Sequence, residues 1–375
     1  MRVLHIHSSF DAGGKELRAA RLMNAFGPKV SHTVVSAQPD ALAATAAIEK
    51  RIPISCPRDF PSLVGRPTPP RLQRLAKAMR GHDLILTYNW GAMDAVMAHT
   101  LFRDVHGLAP LVHHEDGFNE DEAVRLKPAR NWFRRIALGR ASALVVPSRR
   151  LEEIALDIWH QPAGKVHRIV NGIDTVAYGR KAKADALPRV VKRPGEKWLG
   201  TLAGLRPVKK LDRLVRAFAG LPEEWQLVIL GEGPEREAIQ AEALRLDIAH
   251  RVHLPGFVSD PTRAMALFDL FALSSDSEQF PISVVEAMAA GLAVASTDVG
   301  DVAAMLAEAN RAYVAPARDE GGLAAALALL AGDARLREAI GVANRAKARA
   351  EYDAKAMVDA YQGVYGQALG LAAFP

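Results

Sequence analysis

The sequence predicts an α/β protein built from two doubly wound parallel sheets. Strand-like apolar runs alternate with helical segments along nearly all of its 375 residues, which is typical of parallel sheets covered by helices on both faces. The chain is long enough for two domains that each bury a core. A polar, glycine-containing stretch at 171–197 divides the pattern and is the predicted linker.

Six strands are expected on each side of this linker. The first six are predicted at 2–7, 31–36, 83–87, 110–113, 143–147 and 166–170. The second six are predicted at 198–203, 226–231, 252–254, 269–273, 293–297 and 312–315. Helices are expected between the strands, and further helices from Asp333 onward.

Composition excludes several protein classes. No stretch approaches the roughly 18 consecutive apolar residues of a membrane span. The segment MRVLHIH reads as a strand rather than a signal peptide, because it lacks an apolar region and a cleavage site. The single cysteine, Cys56, excludes an internal disulfide framework and a cysteine-based zinc site. We therefore expect a cytoplasmic protein of bacterial type.

The net charge of +6 is concentrated in the first half of the chain. Residues 1–172 contain 24 lysines and arginines against 16 acidic residues, and the run Arg125–Arg150 contains eight basic residues and no acidic one. Trp132, Phe133 and Ile136 interrupt this run in a helix expected to start at Pro128. Such a helix can lie on an anionic membrane surface, through arginines such as 130, 134 and 135. The alternative is a solvated helix whose aromatic residues pack inward.

Nucleic acid is not an expected partner, because no recognised binding module is visible.

The segment SDSEQFPISVVEAMAAG carries most of the functional information. A helix is predicted from Pro281 to Ala290, with Gly291 as its stop. Its free N–H groups can bind a diphosphate, and Glu286 can accept hydrogen bonds from a ribose diol. The preceding apolar run, 267–275, reads as a buried strand, and ligands bind at such strand ends. Glutamates on a solvated helix face are the alternative, but together these features indicate a sugar nucleotide.

SEQFPISVVEAMAAGLAVASTDVGD resembles the donor-site signature of the family 4 retaining glycosyltransferases, of the GT-B fold. FDAGGKE, VPS followed by IVNGID, and LAGLRPVKKLDRLVRAF also match the family in order and spacing. The resemblance implies two Rossmann-like domains that face an interdomain cleft. An acceptor-binding domain is expected over 1–175, a nucleotide-sugar-binding domain over 176–355, and a last helix, 356–375, that packs back on the first.

Gly13 and Gly14 follow the first predicted strand and precede a helix expected near Lys15. Glycine there permits positive φ and close backbone approach to an anionic ligand. A Walker A motif is excluded, because Ser9 stands in place of its first glycine and Glu16 follows the lysine. A tight turn without ligand is the alternative, whereas the resemblance implies that the loop faces the donor diphosphate.

The resemblance places Lys209 against the donor diphosphate. The family's second cation is an arginine, but this chain has Gly204 at that position. Arg206 and Lys210 are the two candidates to replace it. Cations here would stabilise charge on the departing nucleotide.

LVHHEDGFNEDEA gathers polar residues after the predicted strand 110–113. The family carries a histidine at this strand end, beside the donor sugar. Alignment on the strand gives His114 this position, whereas alignment on Gly117 gives it to Asp116, and both are expected near the sugar. His113 is expected to be a core histidine, and no spacing of zinc ligands is present.

Two further loops are implied to flank the base. They are GEGPERE with Glu232, and HLPGFVSD with the backbone around Phe257 and Val258. Backbone readout leaves uridine and guanosine both open. The NGID turn, with Asn171, Gly172 and Asp174, is expected to be structural or hinge-like.

The remaining donor contacts are implied for Glu278 and for the backbone of Gln279, Phe280, Pro281 and Ile282. Gln279 stands where the family often has glycine. The resemblance thus implies a retaining hexosyl-type transferase that needs no metal or other cofactor. Its donor would be a UDP- or GDP-linked sugar and its acceptor a lipid-linked sugar or glycan.

We expect a role in cell-envelope or exopolysaccharide assembly and peripheral attachment to the inner face of the cytoplasmic membrane. Two alternatives are a nucleoside diphosphate sugar epimerase on the same fold and a degenerate sugar-nucleotide binding protein.

Overall fold

The computed structural model describes residues 1–118, 120–122, 125–258 and 260–375. These residues form two units: unit 1 comprises 1–171 and 355–375, and unit 2 comprises 172–354. Each unit is built on one parallel sheet, which confirms the predicted α/β class. The sequence-based boundaries, at 175 and 355, lie slightly later in the chain.

The described part of unit 1 contains seven strands, which alternate with helices along the chain. They are β1 (Arg2–His7), β2 (Ser31–Ser36), β3 (Ile54–Ser55), β4 (Leu84–Tyr88), β5 (Leu111–His114), β6 (Ala143–Val146) and β7 (Val166–Arg168). Their order in the sheet is β3-β2-β1-β4-β5-β6-β7. The strand missing from the sequence-based prediction, β3, is a two-residue edge strand with both residues exposed. It therefore carries no buried apolar pattern.

The helices of this part of the chain cover both faces of the sheet. They are α1 (Gly14–Phe26), α2 (Pro69–Ala78), α3 (Met93–His106), α4 (Pro128–Ala137) and α5 (Arg149–Glu153), which continues as a π-helical turn over Ile154–Ile158. Along β1 the side chains alternate between two apolar clusters: Val3 lies in one, and Leu4 and Ile6 lie in the other. A strand buried on both faces is typical of a doubly wound fold.

Unit 2 contains the six strands predicted for the second half. They are β8 (Lys197–Leu202), β9 (Trp225–Leu230), β10 (Val252–Gly256), β11 (Leu270–Leu273), β12 (Val294–Thr297) and β13 (Val314–Ala315). Their order is β10-β9-β8-β11-β12-β13. The order reverses direction beside β8, where doubly wound sheets place their ligands.

Seven helices accompany this sheet in the described part of unit 2. They are α6 (Leu211–Phe218), α7 (Arg236–Arg245), α8 (Pro261–Met265), α9 (Ile282–Ala290), α10 (Val302–Met305), α11 (Glu320–Gly332) and α12 (Ala334–Glu351). A last helix, α13 (Ala354–Leu369), returns to unit 1. Its Met357, Tyr361, Val364 and Tyr365 join the apolar cluster that contains Val3.

Candidate functional site

The start of α9 lies one residue later than the sequence predicts. Pro281 has φ −69° and ψ 112°, so it is the extended cap and Ile282 is the first helical residue. Gly291 ends the helix in the left-handed region, at φ 79°, as expected for a C-terminal glycine. The first turn has neither a side-chain cap nor an acidic residue. The Val284 N–H donates to the Pro281 carbonyl at 3.1 Å, so the candidates for binding an anion at the carboxyl end of β11 are the N–H groups of Ile282 and Ser283.

Glu278 lies in the loop between β11 and α9, where it binds a lysine. Its Oε1 accepts hydrogen bonds from Lys209 Nζ at 2.5 Å and from Ser275 Oγ at 2.8 Å. The Ser274 hydroxyl donates to the Lys209 carbonyl at 2.9 Å, which ties the two loops together. The structure thus joins two of the predicted donor-binding residues. Ser275 was not predicted as a site residue, although it lies only three residues before Glu278 and is close enough in sequence for a local hydrogen bond.

Gly300 packs closely against the backbone of this loop. Gly300 has φ 58°, and a Cβ built on it would lie 2.4 Å from the Glu278 carbonyl oxygen and 2.7 Å from that of Gln279. A larger residue would therefore displace the loop. The Oε1 atom of Gln279 is buried and has no hydrogen-bond partner among the described residues. It is a candidate acceptor for a group on the ligand.

Glu286 lies on the second turn of α9 and is buried, with 8% exposure. Its Oε1 accepts a hydrogen bond from the hydroxyl of Tyr178 at 2.7 Å. Tyr178 belongs to a single helical turn, Ala177–Gly179, inside the stretch predicted as a linker. It was not predicted as a site residue, and no motif in the sequence indicates it.

The loop after β8 carries the predicted cations. A Cβ built on Gly204 would lie 3.5 Å from Nε of Arg206, so the Arg206 side chain extends over the position where the family has its arginine. Lys210 is partly buried, has φ 48°, and caps the start of α6. Arg206 is therefore the better placed of the two candidates for the second cation.

The loops after β8, β9 and β10 are joined by their backbones. The N–H of Leu205 donates to the Glu232 carbonyl at 2.9 Å, and that of Gly231 donates to the Gly256 carbonyl at 3.0 Å. The side chains of Glu232 and Phe257 are exposed, and Val258 is partly buried. Ser259, in the same predicted stretch, lies outside the described residues. Roles in base recognition stay predictions.

In unit 1 the glycine loop differs from the prediction in its geometry. Gly13 has φ −108° and is the extended cap of α1, and Gly14 is the first helical residue. Neither has the positive φ that we expected, because the turn enters the helix directly. Lys15 forms an ion pair with Glu16. Burial lowers the pKa of Lys15 from 10.5 to about 8, although the neighbouring Asp116 opposes this shift.

Asp116 forms a buried ion pair with Arg18, which the sequence analysis did not single out. The two terminal guanidinium nitrogens of Arg18, Nη1 and Nη2, both donate to the Asp116 carboxylate, Nη2 across 2.8 Å. Nη1 also donates to Asn171 Oδ1 at 2.8 Å. The Asp116 N–H donates to Asn89 Oδ1 at 2.8 Å. Burial alone would raise the pKa of Asp116, but Arg18 outweighs it and lowers the pKa. Asp116 is therefore an ionised carboxylate.

His114 lies in the interior of unit 1 with 1% exposure. Its Nδ1 lies 3.1 Å from the Thr87 carbonyl, to which it must donate, so Nε2 accepts from the Tyr365 hydroxyl at 2.8 Å. Burial, assisted by Arg18, lowers the pKa of His114 to about 3, so the ring is neutral. Asp116 is the more accessible of the two residues, and a role at the sugar stays a prediction for both.

His113 is a core residue, as expected, and its Nδ1 lies 2.8 Å from the Thr87 hydroxyl.

The basic run on α4 is less uniformly exposed than its sequence suggests. Arg134 is fully buried and pairs with Glu122 and Glu115, so it cannot contribute to a membrane surface. Arg130 pairs with Glu122 at 2.9 Å and is partly buried. Of the three arginines expected on this surface, only Arg135 is exposed.

The aromatic residues of α4 divide between the interior and the surface. Phe133 packs edge-on against Trp90, with ring centroids 5.7 Å apart. Trp132 is 62% exposed and Ile136 is 51% exposed. Neither sequence-based alternative is therefore complete, since one aromatic ring points inward and the other lies on the surface.

The described residues contain neither a metal-binding cluster nor a membrane-spanning helix. No group of three or more His, Cys, Asp or Glu side chains within those ranges could hold a metal ion. None of the helices there combines the length and the apolar character needed to cross a bilayer.

Comparison with protein families gives two adjacent matches. The family described as Glycosyltransferase Family 4 matches residues 12–177, and the family described as Glycosyl transferases group 1 matches residues 184–347. Together they cover both halves of the chain.

Curated relatives match over part of their length. N-acetyl-alpha-D-glucosaminyl L-malate synthase of Bacillus anthracis is 26% identical over 207 residues, which is 55% of this chain and 54% of that protein. The Campylobacter jejuni N-acetylgalactosamine-N,N'-diacetylbacillosaminyl-diphospho-undecaprenol 4-alpha-N-acetylgalactosaminyltransferase is 31% identical over 157 residues, 41% of each chain. The chain thus spans about half the length of the curated relatives it matches.

The fold itself matches over the whole chain. Anabaena Alr3699/HepE, solved in complex with UDP, superposes with a TM-score of 0.78 over 98% of this chain and 100% of that one, at 19% identity. This likeness establishes the architecture of the two sheets.

Proposed function

Because the chain belongs to the family 4 glycosyltransferases of the GT-B fold, we propose that it transfers a hexose-type sugar from a nucleoside diphosphate sugar to an acceptor hydroxyl. The observation that carries this proposal is in unit 2. The uncapped start of α9, the Lys209–Glu278 pair and Glu286 all belong to the two loop-and-helix segments at the carboxyl ends of β8 and β11.

Each group has a role that follows from its chemistry. The N–H groups at the start of α9 and the Lys209 ammonium bind the diphosphate, and Arg206 adds a second cation. Glu286 accepts hydrogen bonds from the ribose hydroxyls. Glu278 and the backbone from Gln279 to Ile282 contact the sugar. Gly13 and Gly14 offer the backbone at the start of α1 to an anionic group of the ligand.

The transfer retains the configuration at the anomeric carbon. The acceptor oxygen forms its bond to this carbon on the face from which the diphosphate departs, and the bond to the phosphate oxygen breaks. The departing phosphate accepts the proton of the acceptor hydroxyl. No side chain is covalently modified, so catalysis comes from positioning and from the cations that stabilise the leaving group. No metal is required in this scheme.

The donor is a UDP- or GDP-linked sugar. The Anabaena structure contains UDP, which supports a uridine nucleotide, while the base-flanking loops of this chain leave guanosine in place as the second candidate. The name of the Campylobacter relative specifies a diphospho-undecaprenol substrate. This supports a lipid-linked or glycan acceptor, in cell-envelope or exopolysaccharide assembly.

A lipid-linked acceptor places the reaction at the inner face of the cytoplasmic membrane, and unit 1 offers a surface for that contact. Trp132 and Ile136 are exposed on α4, and Leu101 and Val105 are exposed on α3, the helix that packs against α4. Thr100 Oγ1 donates to the Ala137 carbonyl at 2.5 Å. We call Leu101, Val105, Trp132 and Ile136 the apolar face.

Cations accompany the apolar face. The guanidinium of Arg135 stacks over the Trp132 ring at 5.3 Å, and Arg140 lies at the same end of α3, paired with Asp104 at 2.6 Å. An aromatic ring and a cation together suit the interface of an anionic membrane. The basic excess of the first half of the sequence favours the same partner.

The proposal is tested in two steps. A panel of UDP- and GDP-sugars is screened for a rise in the melting temperature, since a ligand that binds only the folded state raises apparent stability. The donor so identified is then incubated with the enzyme and with lipid-linked acceptors. Transfer that Glu286→Ala abolishes supports the proposal. Turnover of the donor without an acceptor would favour the epimerase, and binding without any turnover the degenerate binding protein.

A further inference from the structure

The hydrogen bond between Tyr178 and Glu286 connects the residue assigned to ribose with a segment outside the donor-site motifs. Tyr178 donates its hydroxyl to Glu286 Oε1 at 2.7 Å. Both side chains are buried, so the bond forms away from bulk water, where a hydrogen bond to a charged group is strong.

The turn that carries Tyr178 is anchored through the residues that precede it. The Asp174 carboxylate accepts hydrogen bonds from the N–H groups of Val176 and Ala177 at 3.2 and 3.1 Å. Ile173 donates its N–H to the Tyr352 carbonyl at 3.0 Å. The NGID turn, expected to be structural, therefore has a defined role, since it orders the segment that presents the tyrosine hydroxyl to α9.

A glutamate side chain on a helix has three rotatable bonds, so a ligand that needs it in one rotamer must order it on binding. A fixed hydroxyl donor removes that cost in advance. A carboxylate can accept about four hydrogen bonds, so the bond from Tyr178 is compatible with bonds from a ribose diol to the same group.

We propose that Tyr178 is a positioning residue that holds the Glu286 carboxylate in the orientation that recognises the ribose hydroxyls of the donor. This inference rests on the proposed function, because it takes Glu286 to be the ribose ligand. The proposal assigns part of the specificity for ribose to Tyr178, a residue that does not itself contact the ligand.

The test compares nucleotides with and without ribose hydroxyls. Calorimetry gives the Kd of UDP and of 2′,3′-dideoxy-UDP, or of the guanosine pair if the panel selects GDP, for the intact protein, Tyr178→Phe, Glu286→Gln and the double variant. We expect Tyr178→Phe to weaken binding of the ribonucleotide about fivefold to twentyfold and to leave binding of the dideoxynucleotide unchanged.

We expect the double variant to bind like Glu286→Gln alone, since the proposed role of Tyr178 is exerted through that carboxylate. Tyr313→Phe removes a hydroxyl elsewhere in unit 2 and should leave both Kd values unchanged. Asp174→Ala, which releases the turn without altering the tyrosine, should reproduce the effect of Tyr178→Phe and serves in its place if that variant does not fold.

The outcomes distinguish the positioning role of Tyr178 from the ribose role of Glu286. If Tyr178→Phe and Asp174→Ala discriminate between the two nucleotides as well as the intact protein does, while Glu286→Gln does not, the positioning role is overturned and the ribose role of Glu286 stands. If Glu286→Gln itself keeps full discrimination, or if neither ribonucleotide binds the intact protein, the assignment of the donor site is overturned.

Discussion

In unit 2 the ammonium of Lys209 donates to Oε1 of Glu278 across 2.5 Å, so two residues assigned to the donor are each other's partner. Their side chains are only 16% and 12% exposed. The carboxylate therefore cancels much of the positive charge that an arriving diphosphate would meet. A bound diphosphate must share the ammonium with this carboxylate.

This pairing predicts opposite effects of two substitutions on binding of UDP or GDP. Lys209→Met should raise the Kd of the nucleotide about tenfold to a hundredfold, because it removes a charge-assisted hydrogen bond. Glu278→Gln should leave the Kd unchanged or lower it, because it removes the competing carboxylate, and it should reduce kcat with the sugar nucleotide. Calorimetry measures the Kd, and Lys197→Met at the start of β8 is the control. Equal weakening by both variants would contradict the shared arrangement.

The position of Arg206 over Gly204 predicts a rescue. Arg206→Ala should weaken nucleotide binding about tenfold, and adding Gly204→Arg should restore most of it. The backbone permits this change, because a Cβ at 204 makes ordinary contacts and Gly204 is not among the residues with positive φ. Fluorescence titration of the two variants provides the measurement. A loss in Lys210→Ala instead, with no rescue, would identify Lys210 as the second cation.

The interior position of His114 predicts that its replacement mainly costs stability. His114→Phe should lower the free energy of unfolding by about 2 to 4 kcal/mol, because it leaves the Thr87 carbonyl and the Tyr365 hydroxyl buried without their partner. Urea denaturation followed by circular dichroism measures this. His250→Phe, at an exposed position, should change it by less than about 0.5 kcal/mol. An unchanged stability with lost sugar transfer would instead support the catalytic role.

The apolar face predicts which residues attach the protein to membranes. Trp132→Ala with Ile136→Ala should weaken binding to vesicles that contain phosphatidylglycerol by about tenfold or more, because both exposed side chains are lost from the interface. Arg135→Gln should weaken it further at low salt. Flotation measures the bound fraction. Leu244→Ala, an equally exposed residue of unit 2, is the control, and vesicle binding that none of these changes alters would rule out this surface.

Lys15 predicts a pH dependence of stability. Its pKa is lowered to about 8 in the folded protein, so the folded state binds fewer protons than the unfolded state between about pH 8 and 10.5. Its contribution is therefore unfavourable below about pH 8 and disappears as the pH rises towards 10.5. Relative to Lys15→Met, the intact protein should gain on the order of 2 to 3 kcal/mol over this range. Urea denaturation at several pH values measures the difference, and parallel profiles would contradict it.

Much of the architecture was predictable because strands buried on both faces leave continuous apolar runs in the sequence. All twelve predicted strands are present, and the start of α9 differs by one residue because Pro281 keeps an extended ψ. The edge strand β3 was missed because Ile54 and Ser55 are both exposed. Local patterns therefore identify the elements that bury their residues and miss those that do not.

The partners of the site residues were less accessible to sequence reasoning. Tyr178 and Glu286 are 108 positions apart, and Arg18 and Asp116 are 98 apart, so no local spacing indicates that they meet. Arg134 looked like one of several surface cations because its partners, Glu115 and Glu122, lie outside the basic run. The charges of a segment give its composition, but their burial depends on residues from elsewhere in the chain.

The return of α13 to unit 1 determines the order in which the protein can be completed. Residues 355–375 follow all of unit 2 in the chain. The ribosome therefore synthesises all of residues 172–354 before it adds Tyr361 and Tyr365, which belong to unit 1. Until then the histidine at the end of β5 lacks its hydroxyl partner, and an apolar side of the first sheet stays open to chaperones and to aggregation. Residues 172–354 form one continuous segment of the chain, whereas unit 1 is complete only after α13 has been synthesised.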